Sequence, residues 1–215
     1  MRKPAIIPSI ASADPLNLAG EIDRLGGVKK LHLDIEDGNF VPNITFGMKT
    51  VRRVAGYVGE SAELDAHLIV TSPECWIDEL ADCGIKKIAF HPEAVRYPLE
   101  ILHRIRRRGL EAGFGLDFIS SIERIRPFVP DLDYVIVMTA EPDGRGMRFN
   151  PRMLEKIREA VKLLGPEKEV WADGGIGEDT ISAVAAAGAS NIILGRAVFS
   201  APDPRQKIEE LAALL

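Results

Sequence analysis

Residues 31–36 read Leu31-His32-Leu33-Asp34-Ile35-Glu36. Apolar and polar side chains alternate over this short run, the period of two that marks a β-strand. His32 and Asp34, two apart, therefore point the same way. Histidine and aspartate meet again in Asp65-Ala66-His67, and an aspartate ends another strand candidate in Asp173-Gly174-Gly175. If the strands close into a barrel, His32, Asp34, His67 and Asp173 converge on one point at its mouth. Two imidazoles and two carboxylates are a ligand set for a divalent transition metal.

The rest of the chain supplies such a barrel. Strand candidates fall at Ala5–Ile10, Leu31–Ile35, Ala62–Leu68, Lys87–His91, Ala112–Leu116, Tyr134–Met138, Val170–Ala172 and Asn191–Leu194. Amphipathic helix candidates lie between them near Leu16–Leu25, Lys49–Val58, Pro73–Cys83, Pro98–Arg108, Ser121–Phe128, Pro151–Leu164, Asp179–Ala187 and Pro204–Leu215. Ser72-Pro73 and Asn150-Pro151 place a capping residue before a first-turn proline, and Gly84, Gly109 and Gly188 follow helices as left-handed stops. Eight strand–helix units in 215 residues, about 27 each, predict a single (β/α)₈ TIM barrel spanning residues 1–215. The competing open doubly wound sheet lacks its G-x-G-x-x-G fingerprint after the first strand. In a barrel the reactive groups gather at the carboxyl ends of the strands. Ser9, His32, Asp34, His67, His91, Asp117, Thr139, Asp173 and Gly195 all fall at such ends.

Composition narrows the function classes. The chain is 46% hydrophobic, with ample material for a core, and its formal net charge of −5 argues against nucleic acid or an anionic membrane as partner. The basic run His103-Arg104-Ile105-Arg106-Arg107-Arg108 ends a helix candidate, where cations suit the macrodipole and are solvated. Cys75 and Cys83, eight apart on one expected helix, are too distant along its axis to bridge and read as ordinary cytosolic thiols. Pro4, Pro8 and Asp14 interrupt any signal-peptide pattern, and no apolar run approaches spanning length. A cytoplasmic protein is expected.

A lone strand-end histidine or aspartate is most often structural, a hydrogen-bonded residue or a helix cap. Four of them at the ends of strands two, three and seven weaken that reading. A metal held there would act as a Lewis acid on a bound carbonyl and its neighbouring hydroxyl. Aspartates on strands two and seven could flank a substrate from opposite sides, one removing a proton and the other returning it to the far face. Two such groups favour epimerisation over simple isomerisation. The glycine-rich Asp173-Gly174-Gly175-Ile176-Gly177 turn and Gly195-Arg196 follow strands seven and eight, where barrels often bind phosphate.

From end to end the chain resembles the ribulose-phosphate 3-epimerase family. The matching segments are Pro8-Ser9-Ile10-Ala11-Ser12-Ala13-Asp14, the run from His32 to Asn43, Asp65-Ala66-His67-Leu68, His91-Pro92-Glu93 and Asp173-Gly174-Gly175-Ile176. The resemblance implies a TIM barrel with one divalent ion (zinc, iron, manganese or cobalt) on His32, Asp34, His67 and Asp173. It implies Asp34 and Asp173 as the acid–base pair, and Ser9 as a substrate contact. The implied reaction inverts C3 of a ketose phosphate, such as ribulose 5-phosphate, through a metal-stabilised cis-enediolate, in a homo-oligomer. His67, Met138, Gly144, Gly146, Gly174, Gly175 and Gly195 join the expected substrate site.

Several positions depart from the family pattern. Glu36 and Ile69 stand where methionines are usual, while Met138 keeps the third. Glu36 shares the parity of His32 and Asp34: if the strand runs through it, it adds a carboxylate to the pocket, and if the strand ends at Ile35, it turns to solvent. The segment from Glu141 to Met147 stands where the family typically has Asn-Pro-Gly-Phe-Gly-Gly-Gln; Asp143 in it would repel a phosphate, whereas Arg145, Arg148 and Arg196 could attract one. Arg196 replaces a small serine, and Asp117 an asparagine. The proton-transfer machinery is thus kept while the substrate grip is rewritten. Two alternatives stand beside it. A related phosphate-barrel decarboxylase or aldolase-like enzyme would show an Asp-x-Lys-x-x-Asp array at strand three, where this chain has His67 and no lysine. A non-catalytic sugar-phosphate binder would have no need of opposed proton donors.

Overall fold

The strand candidates become eight parallel strands in the computed structural model, which describes residues 3–142 and 148–215. They are β1 (Ala5–Pro8), β2 (Lys30–Glu36), β3 (Glu63–Ile69), β4 (Lys87–Phe90), β5 (Glu111–Leu116), β6 (Tyr134–Met138), β7 (Glu169–Asp173) and β8 (Asn191–Leu194). Neighbours pair in chain order from β2 to β8, β8 pairs with β1, and a parallel bridge from Ser9 to His32 joins β1 to β2. The ring is a (β/α)₈ barrel and the open-sheet alternative is excluded. Helices cover its outside: α1 (Leu18–Arg24), α2 (Met48–Val58), α3 (Ile77–Asp82), α4 (Pro98–Arg107), α5 (Ile122–Ile125), α6 (Met153–Leu164), α7 (Glu178–Ala186), α8 (Arg196–Phe199) and α9 (Pro204–Ala213).

Strands of a parallel barrel are covered on both faces, which explains runs such as Tyr134-Val135-Ile136-Val137-Met138, all buried. Alternation divides them. Val135 and Val137 face the larger core between strands and helices, whereas Tyr134, Ile136 and Met138 join Ile7, Ala89, Trp171 and Ile193 inside the barrel. Helix faces at i, i+4, i+7 complete the outer core, as with Met153, Ile157, Ala160 and Leu164 of α6. At the amino ends of the strands Lys87 reaches Glu111 and Glu169, and the Trp171 indole N–H donates to Glu169 at 2.9 Å. That polar plug closes the barrel floor.

Three helix expectations change. Pro73–Cys83 is a 3₁₀ turn over Pro73–Cys75 followed by α3, so the two free cysteines do not share one helix. Ser121–Phe128 keeps only the single turn of α5, because Pro127 and Pro130 lack the N–H that an α-helix requires and the chain continues as 3₁₀ over Arg126–Asp131. The short α8 lies in a stretch read as loop. The basic run on α4 is a set of ion pairs: Arg104 to Asp78 at 2.5 Å, Arg106 to Asp133 at 3.2 Å, Arg107 to Glu100 at 2.8 Å and Arg108 to Asp82 at 2.5 Å. Among the described residues no helix is long and apolar enough to cross a membrane.

Candidate active site

Register in the sheet does the first part of assembling the site. β2 and β3 pair so that Asp34 stands beside His67 and His32 beside Asp65, while β7 ends on Asp173 next to Met138 of β6. With the ring closed, one ligand atom from each of His32, Asp34, His67 and Asp173 lies within 4.8 Å of all the others. Ligands bound at about 2.1 Å stand at most about 4.2 Å apart across one ion, so the four lie slightly wider than a bound ion would hold them.

Hydrogen bonds orient His32, Asp34 and His67. His32 is fully buried; its Nδ1 lies 2.5 Å from Asp65 Oδ1 and its Nε2 3.0 Å from Asp34 Oδ1. Asp65 thus holds the His32 ring so that Nε2 faces the cluster, the arrangement that in metalloproteins places a carboxylate behind a ligating histidine. Ser9 donates its hydroxyl to Asp34 Oδ2 at 2.5 Å. His67 points Nδ1 between Asp34 Oδ1 at 3.5 Å and Asp173 Oδ2 at 4.0 Å, and this buried nitrogen has no hydrogen-bond partner among the described residues. A buried ring nitrogen left without a hydrogen bond beside two carboxylates fits a cation, and so does the donor set of two imidazoles and two carboxylates.

The protein's charges divide the two aspartates. Burial acts to raise the Asp34 carboxyl, but the charge and hydrogen bonds of His32, with His67 behind them, outweigh it and hold Asp34 far below the usual carboxylate range. Asp173 is pushed well above that range by burial and by the charge of Asp34. His32 is held well above its ordinary value because the carboxylates of Asp65 and Asp34 outweigh its burial. Without a cation, the two carboxylates thus differ in proton affinity. A cation among them would favour the ionised form of both aspartates and displace the His32 proton.

Two adjoining cavities open above this cluster. One, of about 320 Å³, is lined by Ser9, Asp34, Asp173, Gly174, Gly175, Gly195 and Arg196 among others. Gly174 and Gly175 take φ of 111° and 66°, and a Cβ at Gly174 would stand 2.8 Å from the Ala140 nitrogen, so the turn demands glycine on both counts. The other cavity, about 150 Å³, is lined by Asp34, Glu36, Asn43, Ile69, Met138, Asp173 and Arg196. Strand β2 extends through Glu36, which is 7% exposed, and its Oε2 accepts from Asn43 Nδ2 at 2.5 Å. Burial and the charge of Asp34 push its carboxyl up to about 7.

Ser9, His32, Asp34, Glu36, His67, Met138, Asp173, Gly174, Gly175, Gly195 and Arg196 lie at this mouth, Arg148 does not line either cavity, and Asp143, Gly144, Arg145 and Gly146 lie outside the described residues. Asp117 instead closes a local turn, its Oδ1 accepting from the backbone N–H groups of Ile119 and Ser120. The sequence reading did not single out Asp65, Ser12 or Asn43. Asp65 carried a signal, since it shares the parity of His67 on β3; Ser12, which lines both cavities from a 3₁₀ turn over Ile10–Ser12, and Asn43 lie in segments that resemble the family, but nothing in their own spacing marked them.

The Ribulose-phosphate 3 epimerase family model matches residues 5–199. Ribulose-phosphate 3-epimerase of Schizosaccharomyces pombe is 40% identical over 209 residues, covering 96% of this chain and 91% of its own. The cytoplasmic isoform of ribulose-phosphate 3-epimerase from Oryza sativa subsp. japonica is 37% identical over 212 residues, with 96% and 92% coverage. The solved 3-hexulose-6-phosphate synthase of Salmonella typhimurium shares the fold, with a TM-score of 0.75 at 14% identity and 98% of each chain covered. A model match over nearly the whole barrel, with relatives alike along their full length, leaves one assignment: this chain is a member of the ribulose-phosphate 3-epimerase family, a family of isomerases.

Proposed function

We propose that the protein is a metal-dependent ketose-phosphate 3-epimerase in which Asp34 and Asp173 exchange the C3 proton across the substrate. The observation that carries this reading is the cluster itself: two carboxylates, from β2 and β7, facing one cavity beside two buried imidazoles, with one ligand atom of each of the four within 4.8 Å of the others.

His32, Asp34, His67 and Asp173 would hold one divalent ion of the zinc, iron, manganese or cobalt kind. Bound there, the ion supplies Lewis-acid polarisation of the substrate's carbonyl and neighbouring hydroxyl, which acidifies the C3 proton. Asp34, kept in place by Ser9 and His32, takes the C3 proton from one face. The electron pair left behind is delocalised as an enediolate. Asp173 returns a proton to C3 from the other face, inverting the carbon, and the two carboxyls have then exchanged protonation states. In the reverse direction their roles interchange.

The glycine turn at Gly174-Gly175 and the Gly195-Arg196 segment, after β7 and β8, stand where barrels commonly hold a phosphate, and the Arg196 side chain adds charge for it. Relatives named ribulose-phosphate 3-epimerase support ribulose 5-phosphate and xylulose 5-phosphate as the substrate class, and the rice isoform supports a cytoplasmic setting. Glu36, with Asn43 beside it, offers a carboxylate that an additional substrate hydroxyl can donate to, which favours a related ketose phosphate as preferred substrate. Histidine at position 67, within the ligand cluster, leaves no lysine for the decarboxylase array.

Metal analysis of the purified protein followed by deuterium wash-in from heavy water across a panel of ketose phosphates tests the proposal. One divalent ion per chain and deuterium at C3 are expected. Carbon dioxide release, or no C3 exchange by the metal-loaded protein with any member of the panel, overturns it.

A further inference from the structure

His91 follows β4 and is buried, 1% exposed, with Phe40 lying over it at 5.0 Å between ring centroids. Its Nε2 stands 3.0 Å from His67 Nε2, and the two ring planes are inclined by only 21° with centroids 5.0 Å apart. The nitrogens therefore meet nearly edge to edge, the geometry of an N–H···N hydrogen bond. Two imidazole nitrogens can share such a bond only if one carries the proton and the other a lone pair.

The proton's position follows from the other end of His67. A ligating Nδ1 must be unprotonated, so the ring proton must sit on Nε2, where His91 Nε2 is its partner. His91 then carries its own proton on Nδ1, a buried atom with no hydrogen-bond partner among the described residues. An apolar residue at 91 would avoid that unsatisfied group, so fold stability alone does not explain a histidine there.

Strand β5 carries an independent mark of the same pair. A Cβ at Gly115 would lie 2.4 Å from His67 Nε2, 2.8 Å from His91 Nε2 and 3.1 Å from His91 Cδ2. Gly115 has no positive φ, so its backbone is one that any residue adopts. Its missing side chain is needed for space alone. Neither ring can yield, because both are enclosed: His67 is fully buried and His91 nearly so.

We infer that His91 and Gly115 are positioning residues for His67: His91 accepts the His67 Nε2–H, and Gly115 leaves the room in which the two rings meet, so that the Nδ1 lone pair of His67 is fixed toward Asp34 and Asp173. This rests on the metal reading proposed above.

The test is Co²⁺ affinity by chelator competition, together with the visible spectrum of the Co²⁺-loaded protein, for the wild type and for His91→Leu, His91→Gln and Gly115→Ala. Removing such an outer partner weakens metal binding by ~10–100-fold in other sites. His91→Leu and Gly115→Ala are each expected to lose affinity in that range and to alter the cobalt spectrum, with far-UV circular dichroism unchanged. His91→Gln, whose amide oxygen can still accept from His67, is expected to recover most of the loss. Wild-type affinity and spectrum in His91→Leu overturn the inference while leaving the metal reading intact, and so does a glutamine variant no better than leucine. A wild type that binds no Co²⁺ overturns both. Should Gly115→Ala fail to fold, the contrast between His91→Leu and His91→Gln decides.

Discussion

Replacing Glu36 with methionine removes a carboxyl whose burial is costly and whose presence departs from the family pattern. Its carboxyl is pushed from the ordinary 4.5 up to about 7 by burial and by the charge of Asp34, and with each pH unit worth about 1.36 kcal/mol the penalty above neutrality is at most on the order of 3 kcal/mol. An acid raised in this way binds its proton more tightly folded than unfolded. It therefore subtracts stability as pH rises from about 4.5 to about 7, and the full loss persists above that window. The variant also gives up the bond from Asn43, worth about 1 kcal/mol, although Asn43 is partly exposed and water can replace it. A net gain of roughly 2 kcal/mol at pH 8 raises Tm by about 4–8 °C for a domain of this size. The assay is thermal unfolding of chelator-treated wild type and Glu36→Met at pH 8 and pH 5. The gain should be present at pH 8 and mostly gone at pH 5. A variant less stable than wild type at pH 8, or one with the same increment at both pH values, refutes the reasoning. The same variant should shift kcat/KM toward ribulose 5-phosphate over ketose phosphates bearing a further hydroxyl, by about 10–100-fold if a hydrogen bond to a charged group of about 1.5–3 kcal/mol is lost; an unchanged profile would remove Glu36 from the substrate contacts.

Other tests follow from the same geometry. Asp34→Asn and Asp173→Asn should each lower epimerisation by about 10²–10⁴-fold, measured as interconversion of the two epimers; wild-type turnover in either variant excludes a two-carboxylate exchange. Gly174→Ala forces a side chain onto φ 111° and against the Ala140 nitrogen, so it should lose about 1–3 kcal/mol of stability and lower Tm, whereas an unchanged Tm would mean that the turn rearranges freely. Chelation should abolish C3 proton exchange and lower Tm, with both restored by a divalent transition metal; exchange that persists after exhaustive chelation would show that the cluster works without an ion.

The barrel was legible because its signals are local. Each strand's short apolar or β-branched run, each cap such as Ser72-Pro73, and each stop such as Gly109 is written within a few residues, and eight repeats of that local pattern admit few topologies. Where local chemistry competed, the reading missed: Pro127 and Pro130 turned a predicted helix into a 3₁₀ stretch, and the single turn of α8 is too short for any periodicity to show. The polar rim was legible for a related reason. Parity put His32, Asp34 and Glu36 on one face without knowledge of what that face would meet.

What the chain alone determined is therefore the identity of the groups at the barrel mouth and the side of each strand from which they project. Only the closed ring decided their separations: Asp65 behind His32, Ser9 on Asp34, and the 4.8 Å span of the four candidate ligands. The electrical difference between Asp34 and Asp173, and the use of Gly115 as empty space for two histidines, belong to the tertiary structure as well. The physical reason is distance along the chain. Side-chain direction follows from the backbone period of a few residues, whereas proton affinity and packing depend on neighbours brought together from strands up to 139 residues apart, as Asp34 and Asp173 are.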